Sequence, residues 1–211
     1  IRLQFDDAQL ARSDDIGATA TGTLAVVNGP QGAGISGELE LGEVRYQFVR
    51  QAATEVRELA GVRRRGEPIR PPGEQQADNA VPSIWELDLR VRADNRVFVS
   101  GMGLESEWSA DLQIAGTTAT PRIIGDLDLI RGELSLAGRR FDVRRGNVTF
   151  TGARPPNPQI DLEAVSEIEG VEVAILVTGN STNPQIAFNS SPSLPQDEVM
   201  SRILFGSSVT E

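Results

Sequence analysis

The chain has 211 residues, a formal net charge of −10 and an apolar content of 39%, with aromatic residues making up only 5% of the sequence. This composition excludes a wholly disordered chain, and the length allows one sizeable core or one elongated sheet. The acidic balance argues against a nucleic-acid partner, because affinity for phosphates rises with the number of cations that face them.

Cysteine and histidine are both absent from the sequence. Their absence excludes disulfides, thiolate and imidazole metal sites and the most common general base, so we predict a protein that is not an enzyme and needs no cofactor or metal. Asp126 and Asp128 could bind a hard cation, but they alternate with Leu127 and Leu129 and are therefore expected on the solvated face of a strand.

A short module, glycine followed by alternating polar and apolar residues, recurs along the chain. Alternation with a period of two gives a strand one apolar and one polar face, and the glycine supplies a turn or a bulge. The pattern predicts mostly antiparallel strands, about a dozen of them, joined by short turns. The modules are Gly22–Val26, Gly37–Leu41, Gly125–Leu129, Gly132–Leu136 and Gly146–Phe150.

One stretch interrupts the strands. Apolar residues recur at helical spacing between residues 49 and 59, which predicts a short helix over residues 50–60. A run rich in arginine, proline and glycine then continues to residue 82 and predicts a flexible insertion.

Strand patterns resume after the insertion and continue almost to the end of the chain. Turn signals separate them at residues 93–95, 116–118, 145–147, 155–158 and 180–184. Trp85 and Trp108 flank strands and are expected at the edge of the core. Besides the modules, strands are predicted at residues 96–100, 105–115, 139–143, 159–165 and 171–179.

The sequence closes with a predicted helix over residues 194–206. Ser193 and Gln196 have the spacing of a capping box, and Gly206 supplies a stop. A helix of roughly ten residues is marginal by itself, so its apolar face must dock on the preceding sheet. The predicted docking residues are Val199, Met200, Ile203 and Leu204.

The order of these elements between residues 94 and 206 resembles that of the TamB family. The resemblance is most specific at the end, where a P-x-I-x-F strand at Pro184–Phe188 precedes a serine pair and a helix with an acidic start that closes on I-L-F-G. Residues 1–49 fit the family more loosely, and residues 50–82 carry no family motif.

The resemblance implies a mainly β fold, in which an elongated antiparallel sheet curls into a trough, or β-taco, with an apolar interior. We expect a β-meander at residues 1–49, the helix and insertion at residues 50–82, a second meander at residues 83–193 and the helix at residues 194–206. All four would belong to one TamB-like C-terminal domain.

The resemblance also implies a non-catalytic periplasmic component of a translocation and assembly module, held in the inner membrane by a segment outside this chain. Such a protein would support protein secretion, assembly of autotransporters and other outer-membrane proteins, and phospholipid transport towards the outer membrane. The implied partners are a TamA-like outer-membrane barrel protein, phospholipid acyl chains and nascent outer-membrane β-strands.

A trough with an aliphatic lining could shield acyl chains from water, with a gain of about 0.8 kcal/mol for each buried CH₂. The same residues could instead fill the packed core of a β-sandwich or solenoid, such as a surface or adhesin-like domain with a structural or binding role. The candidate lining residues are Leu112, Ile114, Leu127, Leu129, Leu134, Leu136, Phe141, Val143, Val148, Phe150, Ile160, Leu162, Val173, Ile175, Val177, Ile186 and Phe188.

Overall fold

The computed structural model describes residues 1–12, 16–29, 32–47 and 84–205, which form one ten-stranded sheet followed by a helix. The prediction of a mainly β fold built on one elongated sheet is confirmed. The predicted helix at residues 50–60, the insertion up to residue 82 and the stop at Gly206 lie outside the described residues. The elements are β1 (Arg2–Arg12), β2 (Ile16–Gly29), β3 (Gly32–Gln47), β4 (Glu86–Gly101), β5 (Leu104–Thr117), β6 (Pro121–Leu136), β7 (Arg139–Thr151), β8 (Gln159–Ile168), β9 (Val171–Asn180), β10 (Asn183–Ser191) and α1 (Gln196–Phe205).

The strands lie side by side in the order in which they occur in the chain, with β1 and β10 at the two edges. Neighbouring strands are antiparallel with one exception, since β3 and β4 run parallel from the pair Gly34–Glu86 to the pair Gln47–Ser100. The sequence did not predict this parallel pair. Within the described residues there is a single sheet, which differs from the two stacked sheets of a β-sandwich.

Two-residue turns join three pairs of strands on one side of the sheet. Each turn consists of a residue with a φ of 51° followed by a glycine with a φ between 75° and 88°. Positive φ at both positions is the requirement of the tight hairpin that matches the twist of antiparallel strands, and glycine meets it without steric cost. The turns Met102–Gly103, Ala137–Gly138 and Glu169–Gly170 define the first rim of the sheet, and residues 118–120, 152–158 and 181–182 define the second rim.

Five of the first seven strands are irregular near their middles. The pairing shifts by at least one residue within β1, β3, β4, β6 and β7, at neighbouring positions that form a row across the sheet. We call these positions the bulge row. Each bulge bends its strand, so a row of bulges folds the sheet along a line that crosses the strands.

Two of the predicted turns lie in or beside the bulges of this row. Residues 93–95 lie inside β4 and residues 145–147 lie inside β7, so the predictions of chain reversals there were wrong. Likewise Gly125–Leu129 and Gly132–Leu136 are two halves of the single strand β6. These mergers explain why the described residues contain ten long strands instead of about a dozen short ones.

Side chains from neighbouring strands bind the backbone amides that the bulges release from the regular pairing. The amide of Asp7 donates to Thr21 Oγ1 at 3.1 Å, and that of Arg96 donates to Glu107 Oε1 at 3.3 Å. Both Asp7 and Arg96 have positive φ, at 46° and 67°, which places them among the special conformations of bulges. In β3, the amide of Glu43 donates to Thr19 Oγ1 at 3.1 Å.

Away from helix α1, the apolar face is most buried along the bulge row. Ala20 and Ala93 have exposures of only 0% and 1%, whereas Leu3 and Tyr46, on the same face but close to the rims, have exposures of 42% and 46%. Both alanines flank bulges, where the sheet bends, and Ala93 packs in a cluster with Val97 and Trp108. The burial gradient is therefore consistent with a sheet curled into a trough, with the bulge row at its floor.

Candidate functional site: an apolar groove

The candidate lining residues share one face of the sheet. Cross-strand pairs such as Leu127 with Val148 and Leu162 with Val177 place them directly opposite one another, and side chains of paired residues point to the same side. We call this concave apolar face the groove. The polar residues that alternate with them lie on the opposite, outer face.

The structure divides the candidate residues into three groups by exposure. Phe141, Val143, Val173 and Ile175 are buried, with exposures of 0%, 8%, 0% and 4%, and have almost no surface to offer to a bound molecule. Two lie at the other extreme, since Leu136 is 38% and Ile186 is 60% exposed. The remaining eleven are partly buried: Leu112, Ile114, Leu127, Leu129, Leu134, Val148, Phe150, Ile160, Leu162, Val177 and Phe188.

The groove continues into β2, β3 and β4, where the sequence analysis named no lining residues. The register of these strands carries the apolar face onward through pairs such as Ile35 with Leu87. Alternation at residues 87–93 was the available signal, because apolar and polar residues alternate there without interruption. The added lining residues are Leu24, Ile35, Leu39, Leu41, Val44, Leu87, Leu89, Val91, Val97 and Val99.

Trp108 lies at the centre of the groove floor, so the expectation that it marks the edge of the core was wrong. Its side chain is 3% exposed, and it belongs to a buried cluster with Ala93, Val97 and Ala110. The indole Nε1 donates to Ser106 Oγ at 2.8 Å, and that hydroxyl donates to the carbonyl of Val99 at 3.0 Å. A buried polar group is thereby satisfied inside an apolar surface.

The ring of Trp108 reaches across β6 to β7. A Cβ added to Gly146 would lie 2.7 Å from Trp108 Cη2 and 2.8 Å from Leu129 Cβ, which is closer than carbon atoms can pack. Only glycine at this position leaves room for the indole. In the module Gly146–Phe150, glycine is therefore needed because any side chain would clash with the indole. The nearby bulge in β7 is a separate feature.

Helix α1 covers the groove at its C-terminal end. Val199 and Ile203 are both 1% exposed and pack into a cluster with Phe141, Ile168 and Val173. The other two predicted docking residues lie at the margin of this contact, since Met200 is 36% and Leu204 is 50% exposed. The docking face of the helix is thus narrower than the apolar pattern indicates.

Polar contacts hold the helix at both ends. At its start, the amide of Leu194 donates to Ser190 Oγ at 2.9 Å, and the amide of Val199 donates to the carbonyl of Pro195 at 3.1 Å. The helix begins at Gln196, so Pro195 occupies the cap position. In its last turn, the guanidinium of Arg202 binds Glu198 at 2.9 Å and Glu169, in a turn of the first rim, at 3.4 Å.

The outer face is polar and rich in paired charges. Asp111 binds Arg92 at 3.4 Å, while Asp126 accepts a hydrogen bond from Thr149 at 2.6 Å and Asp128 accepts one from Asn147 at 2.8 Å. The structure thus places Asp126 and Asp128 on the solvated side. In residues 1–12, 16–29, 32–47 and 84–205, no group of three or more acidic side chains has the arrangement of a metal site.

The groove therefore combines an aliphatic lining and partial exposure with a polar outer face on the other side of the sheet. Over the part of the chain that the structure describes, no helix is long and apolar enough to cross a bilayer.

Comparison with known proteins identifies relatives of the chain. A family model described as the TamB C-terminal domain matches residues 1–211. The translocation and assembly module subunit TamB of Haemophilus influenzae is 26% identical over 127 residues, which are 58% of this chain and 10% of that protein. An uncharacterized protein of Aquifex aeolicus is 22% identical over 137 residues, which are 64% of this chain and 12% of that protein. The chain thus spans a small part of the length of either relative.

Proposed function

Because this chain belongs to the TamB family, through a C-terminal domain that covers residues 1–211, we propose that it is a non-catalytic part of a translocation and assembly module. In this role the groove shields the acyl chains of phospholipids from water on their way towards the outer membrane. The Haemophilus relative is itself a translocation and assembly module subunit, which supports the assignment to such a module.

The observation that carries the lipid proposal is the partial exposure of aliphatic side chains on a continuous concave face. Leu112, Phe150 and Ile160 are partly exposed and follow one another across β5, β7 and β8. Apolar surface left in water is unfavourable by about 25 cal/mol per Å², and each acyl CH₂ that covers it adds about 0.8 kcal/mol. Ten buried CH₂ groups would contribute about 8 kcal/mol before the costs of ordering the chain.

The setting proposed for this activity is the periplasm, with an anchor in the inner membrane supplied by another part of the protein. A TamA-like barrel protein in the outer membrane is the proposed partner. If the partnership holds, this chain immobilised on a resin retains the periplasmic domains of the barrel protein. No retention at micromolar concentrations would contradict it.

A second cargo is proposed from the edge of the sheet. In the described part of the chain β10 pairs with β9 alone, and its other side carries backbone groups without a neighbouring strand. Such an edge can accept an extended peptide as an added strand. A nascent outer-membrane β-strand fits this description, which would connect the domain to the secretion and assembly of autotransporters.

Lipid binding can be tested with a pair of variants at adjacent positions of β7. Phe150→Asp places a charge in the groove, whereas Thr151→Asp places the same charge on the exposed outer face. We expect phospholipid extracted from the purified chain to be lost in Phe150→Asp and kept in Thr151→Asp. Equal phospholipid in both variants, or none in the unmodified chain, would contradict the proposal.

A further inference from the structure

The two ends of the groove differ, and the difference restricts where cargo can go. We infer that the groove is blind at its C-terminal end, where helix α1 seals it, so that an acyl chain enters and leaves between the two rims and not past β10. This inference rests on the proposed lipid-binding function.

Burial separates the sealed section from the open section. Phe141, Ile168, Val173, Val199 and Ile203 are each at most 2% exposed, although no other molecule covers them. Interiors packed in this way have no space for an added alkyl chain, because protein cores approach the density of organic crystals. Towards the middle of the sheet, the inward residues of β5 to β7 on the second-rim side remain partly exposed.

The apolar cluster under the helix extends to both walls of the groove. The buried side chains of the helix belong to this cluster, which includes Leu104 and Leu134, close to the first rim. The same cluster includes Leu162 and Val177, which lie at and beyond the bulge row. One packed cluster thus joins the buried side chains of the helix to residues on both sides of the bulge row.

The sheet itself changes at the same place. Strands β8 to β10 have 10, 10 and 9 residues and pair with one another without a shift in register, whereas β3, β4 and β6 have 16 residues each. The bulge row ends at β7, and with it the feature that bends the sheet. Short, regular strands and a covering helix together form an end wall.

The attachment of the helix is both apolar and ionic. The side chain of Arg202 is 15% exposed and joins Glu198 in the helix to Glu169 in the turn between β8 and β9. This ion pair fixes the last turn of the helix to the first rim. The seal therefore has defined contacts that substitution can remove.

The test is to label the unmodified chain with a phosphatidylethanolamine that carries a photoreactive diazirine in its acyl chain, and to map the labelled residues by mass spectrometry. We expect labels on Leu112, Ile114 and Phe150 and no labels on Phe141 or Val173. Labelling of Phe141 and Val173 as strong as that of Leu112 would overturn the blind end while leaving lipid binding intact. No label anywhere on the groove would overturn both proposals.

A double variant, Val199→Asp with Ile203→Asp, removes the apolar contacts of the helix. We expect it to gain labels on Val173 and Ile175, while the control Met200→Asp with Leu204→Asp keeps the original map, because those two side chains are already exposed. Far-ultraviolet circular dichroism checks that the sheet remains. A folded double variant with the same labelled residues as the unmodified chain would overturn the seal. If the double variant unfolds, the labelled residues of the unmodified chain alone test whether the groove is blind.

Discussion

At the scale of single residues, Glu107 has a specific structural task on the outer face. Its side chain is 11% exposed, and its carboxylate accepts the amide of Arg96 in the bulge of β4 at 3.3 Å. The other carboxylate oxygen binds Arg131 Nε, next to the bulge of β6, at 2.6 Å. One acidic residue on β5 therefore joins the bulges of both neighbouring strands.

Replacing Glu107 with alanine should destabilise the fold along the bulge row. The change removes an ionic hydrogen bond and leaves the Arg96 amide without its acceptor, so we expect the free energy of unfolding to fall by about 1 to 3 kcal/mol. Urea denaturation measures this value. The control is Glu105→Ala, an exposed residue on the same face of β5, which should change stability by less than about 0.5 kcal/mol. Equal midpoints for the two variants would contradict the role of Glu107.

At the scale of elements, the sequence predicted the faces of strands better than their ends. Period-two alternation indicated which residues of β5 to β10 share a face, because side chains on a pleated strand must alternate. The same pattern could not distinguish a turn from a bulge at residues 93–95. Both use residues that tolerate special backbone angles, and the choice depends on Glu107, which lies on another strand.

Two other features of these elements also depend on distant contacts. The indole of Trp108 is central because Gly146, two strands away, leaves space for it, and no local pattern relates those positions. The strands β3 and β4 pair in parallel only because β4 begins at the same end of the sheet as β3. Hairpin signals within one strand pair do not contain that information.

For helix α1, the structure predicts unequal roles for two adjacent apolar residues. Ile203→Ala should expose the helix amides by weakening its docking by about 2 kcal/mol or more, since a buried isoleucine loses its packing contacts. Leu204→Ala, at a position that is 50% exposed, should have a much smaller effect. Hydrogen exchange over residues 199–205 distinguishes them, and similar exchange rates in both variants would show that the helix does not dock through Ile203.

At the scale of the described sheet, the division of polarity between two faces explains how an open apolar groove stays in solution. The outer face carries most of the charged residues, and its ion pairs contribute little individually, about 0 to 1 kcal/mol each. Their main effect is to keep that face hydrated, so that the exposed apolar surface of the sheet is concentrated on the concave face, where we propose that lipid binds. The family relationship and the burial gradient are independent observations, and both support the proposed role of the concave face.

The central claim is that hydrocarbon occupies the concave face. Because the chain contains no cysteine, a variant with one introduced cysteine accepts a polarity-sensitive fluorophore at a single position. The most direct measurement compares Ile114→Cys, which points into the groove, with Gln113→Cys, its neighbour on the outer face, as phospholipid is added. If lipid binds in the groove, we expect a blue shift in the emission of the fluorophore at position 114 and none at position 113. The absence of a shift at position 114, or equal shifts at both positions, would contradict it.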